Sequence, residues 1–124
     1  MAQKGDIAAV LVVEDEVLIR MSIADSIADS GFTVYEAANA DQAIHLLETH
    51  SDIRILFTDI DMPGSMDGLR LAEAVRNRWP PVKIVITSGH VNIGADELAE
   101  DERFFAKPYD TDKVIRTLHD LVGA

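Results

Sequence analysis

The sequence predicts an α/β protein, a five-stranded parallel sheet with helices on both faces. Two observations carry that prediction. Short apolar runs rich in β-branched residues alternate five times with segments of helical periodicity, joined by short connections. That is the pattern of strands and crossover helices in a parallel sheet. In addition, three of the runs stop abruptly at polar groups. Val10-Leu11-Val12-Val13 leads into Glu14-Asp15-Glu16, Ile53-Arg54-Ile55-Leu56-Phe57-Thr58 into Asp59, and Val82-Lys83-Ile84-Val85-Ile86 into Thr87-Ser88-Gly89. The carboxyl ends of buried strands are where open α/β sheets keep their chemistry.

The elements follow in order. Ile7–Val13 is continuously apolar and reads as a buried strand. Glu14, Asp15 and Glu16 open the first helix, in which Val17, Leu18, Met21, Ala24, Ile27 and Ala28 recur at helical spacing, and Gly31 stops it. Phe32–Ala37 is a second strand whose imperfect alternation suits a sheet edge. Asn39 and Asp41 are alternative caps for a helix that turns Ala43, Ile44, Leu47 and Leu46 inward. Ile53–Thr58 is the third strand and Met66–Arg78 the third helix, ended by Trp79-Pro80-Pro81 because proline cannot continue it. Val82–Thr87 is the fourth strand. A fourth helix is expected over Val91–Glu100, against the cost of Gly94 inside it and five acids between Asp96 and Glu102. Arg103–Ala106 is a short fifth strand. Asp110 or Thr111 caps the last helix, whose inward stripe is Val114, Ile115, Leu118, Leu121 and Val122.

Bulk properties narrow the function. The 124 residues are 48% hydrophobic and 27% charged, an ordinary globular balance that suits one domain. Acids outnumber bases 22 to 11, for a formal charge of -11. That charge repels phosphate backbones and anionic membranes, which argues against direct binding of nucleic acid or lipid, and it favours cations and basic surfaces. With no cysteine, disulfides and thiolate metal sites are excluded. Neither a signal peptide nor a run of membrane-spanning length is read, so the expected location is the cytoplasm.

Carboxylates gathered at one sheet edge repel one another and call for a compensating charge. A hard divalent cation held by Asp15, Asp59 and a loop carbonyl supplies it. Taken singly, each residue has a plainer reading. Glu14-Asp15-Glu16 suits the dipole of a helix start, Asp59 a turn before Pro63-Gly64, Lys107 a solvated surface and Thr87 a strand end. An acid cluster, a hydroxyl and a lysine that each follow a strand match phosphoryl chemistry together.

These residues resemble the receiver domains of two-component response regulators over nearly the whole chain, Val10 to about Val122. The likeness rests on Glu14-Asp15 after the first strand, Asp59 in Asp-Ile-Asp-Met-Pro, Met66-Asp67-Gly68 opening the third helix, Thr87, and Lys107-Pro108. It implies a flavodoxin-like doubly wound (βα)5 fold of strand order 2-1-3-4-5, with residues 1–124 as one receiver domain. It further implies that a histidine kinase or histidine phosphotransfer protein donates a phosphoryl group to Asp59. Asp15, Asp59 and the backbone carbonyl of Asp61 would bind Mg2+, with Glu14 acting on its water shell. Thr87 and Lys107 would contact phosphoryl oxygens. Thr87 and Phe104, three residues before Lys107, would form a switch that rearranges the surface of the fourth helix, fifth strand and fifth helix, although Phe104 reads equally as a core aromatic. On this reading the chain is no enzyme beyond its own phosphorylation and dephosphorylation, and an unknown downstream protein receives the signal.

The sequence departs from that pattern in places. Glu14 replaces a more common aspartate. Gly64-Ser65 lengthens the loop after Asp59, Asp61 stands where it influences the hydrolytic water, and the short interval from Thr87 to Lys107 predicts an atypical fourth helix. Asp59-Ile60-Asp61 also resembles the nucleophile motif of haloacid-dehalogenase-type phosphohydrolases, with Asp59 phosphorylated and Asp61 as general acid. A Toprim-like nuclease using Glu14 and the Asp-x-Asp pair is a third reading, opposed by the negative charge. His45, His50 and His119 share no metal-ligand spacing with His90, which follows Thr87-Ser88-Gly89 beside the site. Only Gly123-Ala124 follows the last helix, from which a stand-alone protein is expected.

Overall fold

A computed structural model describes residues 8–94, 97–99 and 101–123. The strands are β1 (Ala9–Val13), β2 (Thr33–Ala37), β3 (Ile53–Asp59), β4 (Lys83–Ser88) and β5 (Arg103–Ala106). They form one parallel sheet in the order β2-β1-β3-β4-β5. The helices are α1 (Val17–Asp29), α2 (Ala40–Thr49), α3 (Gly68–Arg78) and α4 (Thr111–Gly123). This is the doubly wound architecture expected from the sequence.

Strand alternation divides the interior in two. Leu11, Val13, Leu56, Ile84 and Ile86 pack with Ala43 and Leu47 of α2 and Leu71 and Val75 of α3. Val10, Val12, Ile55, Phe57 and Val85 pack with Ile23 and Ile27 of α1 and Val114 and Leu118 of α4. β1, the middle of the hydrophobic pattern, is wholly buried, whereas the edge strand β2 is mostly open. A continuous apolar run belongs at the centre of such a sheet and a mixed one at its margin.

Helix ends follow side-chain chemistry. The Asn39 side chain accepts the Gln42 N–H at 2.9 Å and so caps α2. Asp41, the alternative cap, instead accepts the Ser65 hydroxyl at 2.8 Å. α3 begins at Gly68 rather than Met66, because Asp67 caps it by accepting the Arg70 N–H at 3.0 Å. Asp110, rather than Thr111, caps α4 by accepting the backbone N–H groups of Asp112 and Lys113. At the far end of α1, Gly31 takes φ 113°, a left-handed conformation that glycine reaches without strain.

Three expectations are corrected. Val17, Leu18 and Met21 do not face the core: they are 54%, 81% and 50% exposed, while Ile23, Ala24 and Ile27 are buried. Apolar residues surround α1, so periodicity alone does not choose its inner face. Packing of Ile23 and Ile27 against the sheet sets it, and Arg20 at the flank donates to the Glu14 carbonyl at 2.9 Å and pairs with Glu36 of β2 at 3.2 Å. Second, the described residues of the expected helix Val91–Glu100 form no α-helix, and residues 95, 96 and 100 lie outside the described set. Its acids bond the local backbone instead. Glu97 accepts the Gly94 N–H at 3.0 Å and Glu102 the Ala99 N–H at 3.1 Å, contacts that compete with helical ones. Glu102 is buried and paired with Arg76 of α3 at 2.7 Å, which ties the segment down without a helix. Val122, expected in the inward stripe of α4, is 37% exposed because it lies in the last turn. No helix among the described residues is long and apolar enough to cross a membrane.

Gly68 is the tightest junction in the fold. A Cβ there would lie 2.0 Å from the Asp59 carbonyl oxygen, and the Gly68 N–H donates to the Ile60 carbonyl at 3.0 Å. The start of α3 thus rests directly on the end of β3. Gly68→Ala is expected to destabilise the protein by about 2–3 kcal/mol through backbone displacement. Urea unfolding measures this, and an unchanged midpoint would refute the close approach.

Candidate metal and phosphoacceptor site

Four strand ends deliver the polar residues to one place. Glu14 follows Val13 of β1 and keeps the sheet going by donating its N–H to the Ala37 carbonyl at 3.0 Å. Asp59 closes β3 and is in register with Thr87 of β4. The Ile60 N–H continues that pairing by donating to the Thr87 carbonyl at 2.9 Å. Lys107 follows β5, and its N–H donates to the Ser88 carbonyl at 2.9 Å. The Lys107–Pro108 peptide is cis.

Lys107 Nζ donates to Glu14 Oε1 at 2.7 Å and to Asp59 Oδ2 at 3.1 Å. Glu14 and Asp59 are both buried, each 4% exposed. Carboxylate oxygens of Glu14, Asp15 and Asp59 all come within 4.8 Å of one another. When ionised, those three carry one negative charge each against the single positive charge of Lys107. Burial pushes the carboxyls of both Glu14 and Asp59 upward, and the hydrogen bonds from Lys107 only partly offset it. Burial pulls Lys107 down, but its bonds to Glu14 and then Asp59 outweigh that and raise it. One more atom is left over: Asp59 Oδ1 is buried and has no hydrogen-bond partner among the described residues.

That residual charge and that orphan oxygen fit a hard divalent cation, which takes oxygen ligands only. Glu14, Asp15 and Asp59 are the residues that would hold it. Hard oxygen donors and the lack of sulfur or imidazole in the cluster disfavour a softer metal.

The other expected residues divide. Thr87 is buried beside Asp59. The Asp61 side chain turns away from the acid trio. Its Oδ2 accepts the Ser88 hydroxyl at 3.0 Å and His90 Nδ1 at 3.2 Å. Phe104 is in register with Ile86, half-buried on the α2/α3 face, while Phe105 packs on the opposite face against the α1/α4 core. The two aromatics therefore have different roles, although adjacent in sequence. His50 lies tilted against Tyr35 and the exposed His119 against Phe32, with ring centroids 4.3 and 4.5 Å apart, so both histidines serve as aromatic contacts at the surface. Ser88 is the site-proximal residue that sequence reasoning did not single out. Its only signal was position, a hydroxyl immediately after Thr87 at a strand end.

Residues 10–119 match the response regulator receiver domain family, and the chain belongs to that family. A putative NtrX-like response regulator of Rickettsia felis is 34% identical over 116 residues, covering 86% of this chain and 23% of its own length. The sensor kinase CckA of Brucella abortus is 31% identical over 119 residues, covering 93% of this chain and 12% of its own. The chain thus spans a quarter or less of these curated relatives. Among solved structures, a response regulator receiver protein from Sinorhizobium medicae superposes with a TM-score of 0.85 at 26% identity, over 95% of this chain and 96% of that one.

The electrostatics predict a pH effect of definite sign. Without metal, Glu14 and Asp59 hold protons more tightly folded than unfolded, so stability falls as pH rises from their ordinary values through their raised ones. Thermal melts in a metal chelator should therefore show a higher Tm on the acidic side of that interval than at neutral pH, until other carboxylates protonate. Asp59→Asn removes one of the repelling charges and should raise the metal-free Tm at neutral pH by about 3–5 °C, equivalent to about 1 kcal/mol in a domain of this size. A lower Tm would mean that the Lys107 bond outweighs the burial cost.

Proposed function

We propose that this protein is a phospho-accepting switch of a two-component phosphorelay. A histidine kinase or histidine phosphotransfer protein donates its phosphoryl group to Asp59 in a reaction that requires Mg2+. The observation that carries this reading is the convergence of Glu14, Asp15, Asp59 and Lys107 on one point at the carboxyl edge of the sheet. Family membership over residues 10–119 supports it, and so does likeness to relatives named as response regulators and as a sensor kinase.

Each residue has a role that its placement supports. Asp59 is the nucleophile: its carboxylate oxygen forms the new bond to phosphorus while the donor's P–N bond breaks. Asp15, Asp59 and the backbone carbonyl of Asp61 would hold Mg2+, with Glu14 toward its water shell, and the bound ion would supply positive charge against the phosphoryl group. In a loose transfer positioning does most of the catalysis, and these residues supply it. Lys107 is drawn from the carboxylates to a phosphoryl oxygen, and Thr87 donates its hydroxyl to another. Phosphorylation replaces a short carboxylate with a dianionic group of strong acceptors, which pulls Thr87 inward and frees space for Phe104. The surface so changed is the 91–99 segment with β5 and α4. Residues 1–124 form one receiver domain in the cytoplasm, which modifies only itself and signals to a downstream protein rather than to nucleic acid or membrane.

The haloacid-dehalogenase reading needs Asp61 as a general acid toward a leaving group. Asp61 is held below its usual value, chiefly by the hydrogen bond from His90, so it is poorly suited to carry a proton at neutral pH.

Incubation with a small phosphodonor such as acetyl phosphate and Mg2+ should label the protein once, at Asp59, without turnover of phosphomonoesters. Asp59→Asn should abolish the label while leaving the fold intact, and persistent labelling would remove Asp59 from its role. Asp15→Ala should weaken Mg2+ binding by about 10-fold or more, as loss of a direct carboxylate ligand does. Unchanged affinity by titration calorimetry would contradict the ligand assignment.

A further inference from the structure

Ser65 and Asp41 are joined by a hydrogen bond that the phosphotransfer step does not use. The Ser65 hydroxyl donates to Asp41 Oδ1 at 2.8 Å. Ser65 belongs to the Gly64-Ser65 pair that lengthens the loop between β3 and α3, and Asp41 lies in the first turn of α2. That loop leaves and returns at one point, because the Ile60 carbonyl accepts the N–H groups of both Met62 and Gly68, each at 3.0 Å. Between those ends, side-chain hydrogen bonds among the described residues tie the loop to elements beyond its own flanks on two sides. Asp61 Oδ2 meets Ser88 and His90 after β4, and Ser65 reaches α2. Gly64 makes the second tie possible. Its φ of 110° is a left-handed conformation, and a Cβ there would lie 4.0 Å from that of Asn39, the α2 cap. The chain therefore turns at Gly64 against the start of α2, which brings Ser65 to Asp41. Asp41 is a firm anchor, since Ala40 and Ala43 beside it are buried in the core.

We infer that Ser65 and Asp41 are positioning residues for the metal site: their bond latches the loop to α2 and so fixes the Asp61 backbone carbonyl as a ligand. This rests on the ligand set proposed above. The loop has to be ordered before a carbonyl within it can serve a hard cation, and ordering costs conformational entropy that subtracts from affinity. A latch closed in advance removes part of that cost from the binding step. It acts as outer-shell partners of metal ligands do, by orienting a ligand without touching the ion. The carboxylate acceptor makes the bond one of the stronger kind. Both residues are exposed, so substituting them leaves the core untouched. The residue by which this loop is longer thus fastens it.

Calorimetry of Mg2+ binding across a double-mutant cycle tests the latch. Ser65→Ala should weaken Mg2+ binding about fivefold, the scale of one lost hydrogen bond to a charged acceptor. Ser65→Thr keeps the hydroxyl and should stay within about twofold of the parent. Asp41→Ala removes a negative charge as well as the acceptor, so its own loss does not isolate the bond. In the Asp41→Ala background, Ser65→Ala should change the affinity by less than about twofold. A role in fold stability alone would move none of these values, because calorimetry reads the native protein. A loss under about twofold for Ser65→Ala in the parent overturns the inference. So does a loss of about twofold or more in the Asp41→Ala background, or a Ser65→Thr variant that binds no better than Ser65→Ala. Labelling by acetyl phosphate should slow in Ser65→Ala at limiting Mg2+ and recover at saturating Mg2+. A deficit that persists at saturation places Ser65 in the phosphoryl chemistry and overturns the latch. Failure of the parent to bind Mg2+ overturns the ligand set and the latch together, whereas a parent that binds Mg2+ but takes no label at Asp59 overturns only the phosphorelay reading.

Discussion

Like charge held at close quarters governs this molecule. Glu14, Asp15 and Asp59 are forced together at the carboxyl edge of the sheet, two of them out of water, with one lysine between them. Burial alone would drive protons onto those carboxyls at a higher pH than in free solution, and their mutual repulsion adds to that. Lys107 relieves part of the cost by bonding both buried acids. The rest stays as an unmet demand for positive charge and for a partner to Asp59 Oδ1. That demand fits a hard divalent cation at the acid trio.

The scaffold exists to keep that arrangement from relaxing. β1 and β3 are buried at the centre of the sheet and neighbour one another, so Glu14 and Asp59 cannot separate without breaking the core. β4 and β5 bring Thr87 and Lys107 up on the other side, and Gly68 lets the start of α3 close against the Asp59 backbone. Each of these restraints is mainly apolar packing or backbone pairing. None depends on the charges themselves, which is why the acids can be held in an electrostatically poor place.

Around the rim, the acidic composition is handled locally. Glu102 is buried against Arg76, Asp101 pairs with Lys83, and Glu97 bonds the backbone near Gly94. The segment between β4 and β5 is anchored by side chains and by the apolar contacts of Ile93 and Leu98 rather than by a regular helix among its described residues. Ser88 stands at its start and binds both the segment's first N–H groups and Asp61. The loop after β3 and the loop after β4 are therefore one connected unit.

Local chemistry in the sequence determined most of the alternation of strands and helices, the stops of α1 at Gly31 and of α3 at Pro80-Pro81, and the strand ends that carry Glu14, Asp59, Thr87 and Lys107. Those features depend on neighbours a few residues apart: β-branched runs, Gly31 and the prolines as stops, and small polar residues as alternative caps. Family resemblance added the strand order, which no local signal contains. Tertiary structure alone decided which face of α1 is buried, because apolar residues surround that helix and its orientation comes from packing of Ile23 and Ile27 on the sheet and from the contacts of Arg20 with Glu14 and Glu36. It also decided that Phe104 and Phe105 part to opposite faces, that Glu102 is buried against Arg76, and that Asp61 turns to Ser88 and His90. Each of those outcomes is set by a partner distant in sequence, and periodicity carries no record of such partners.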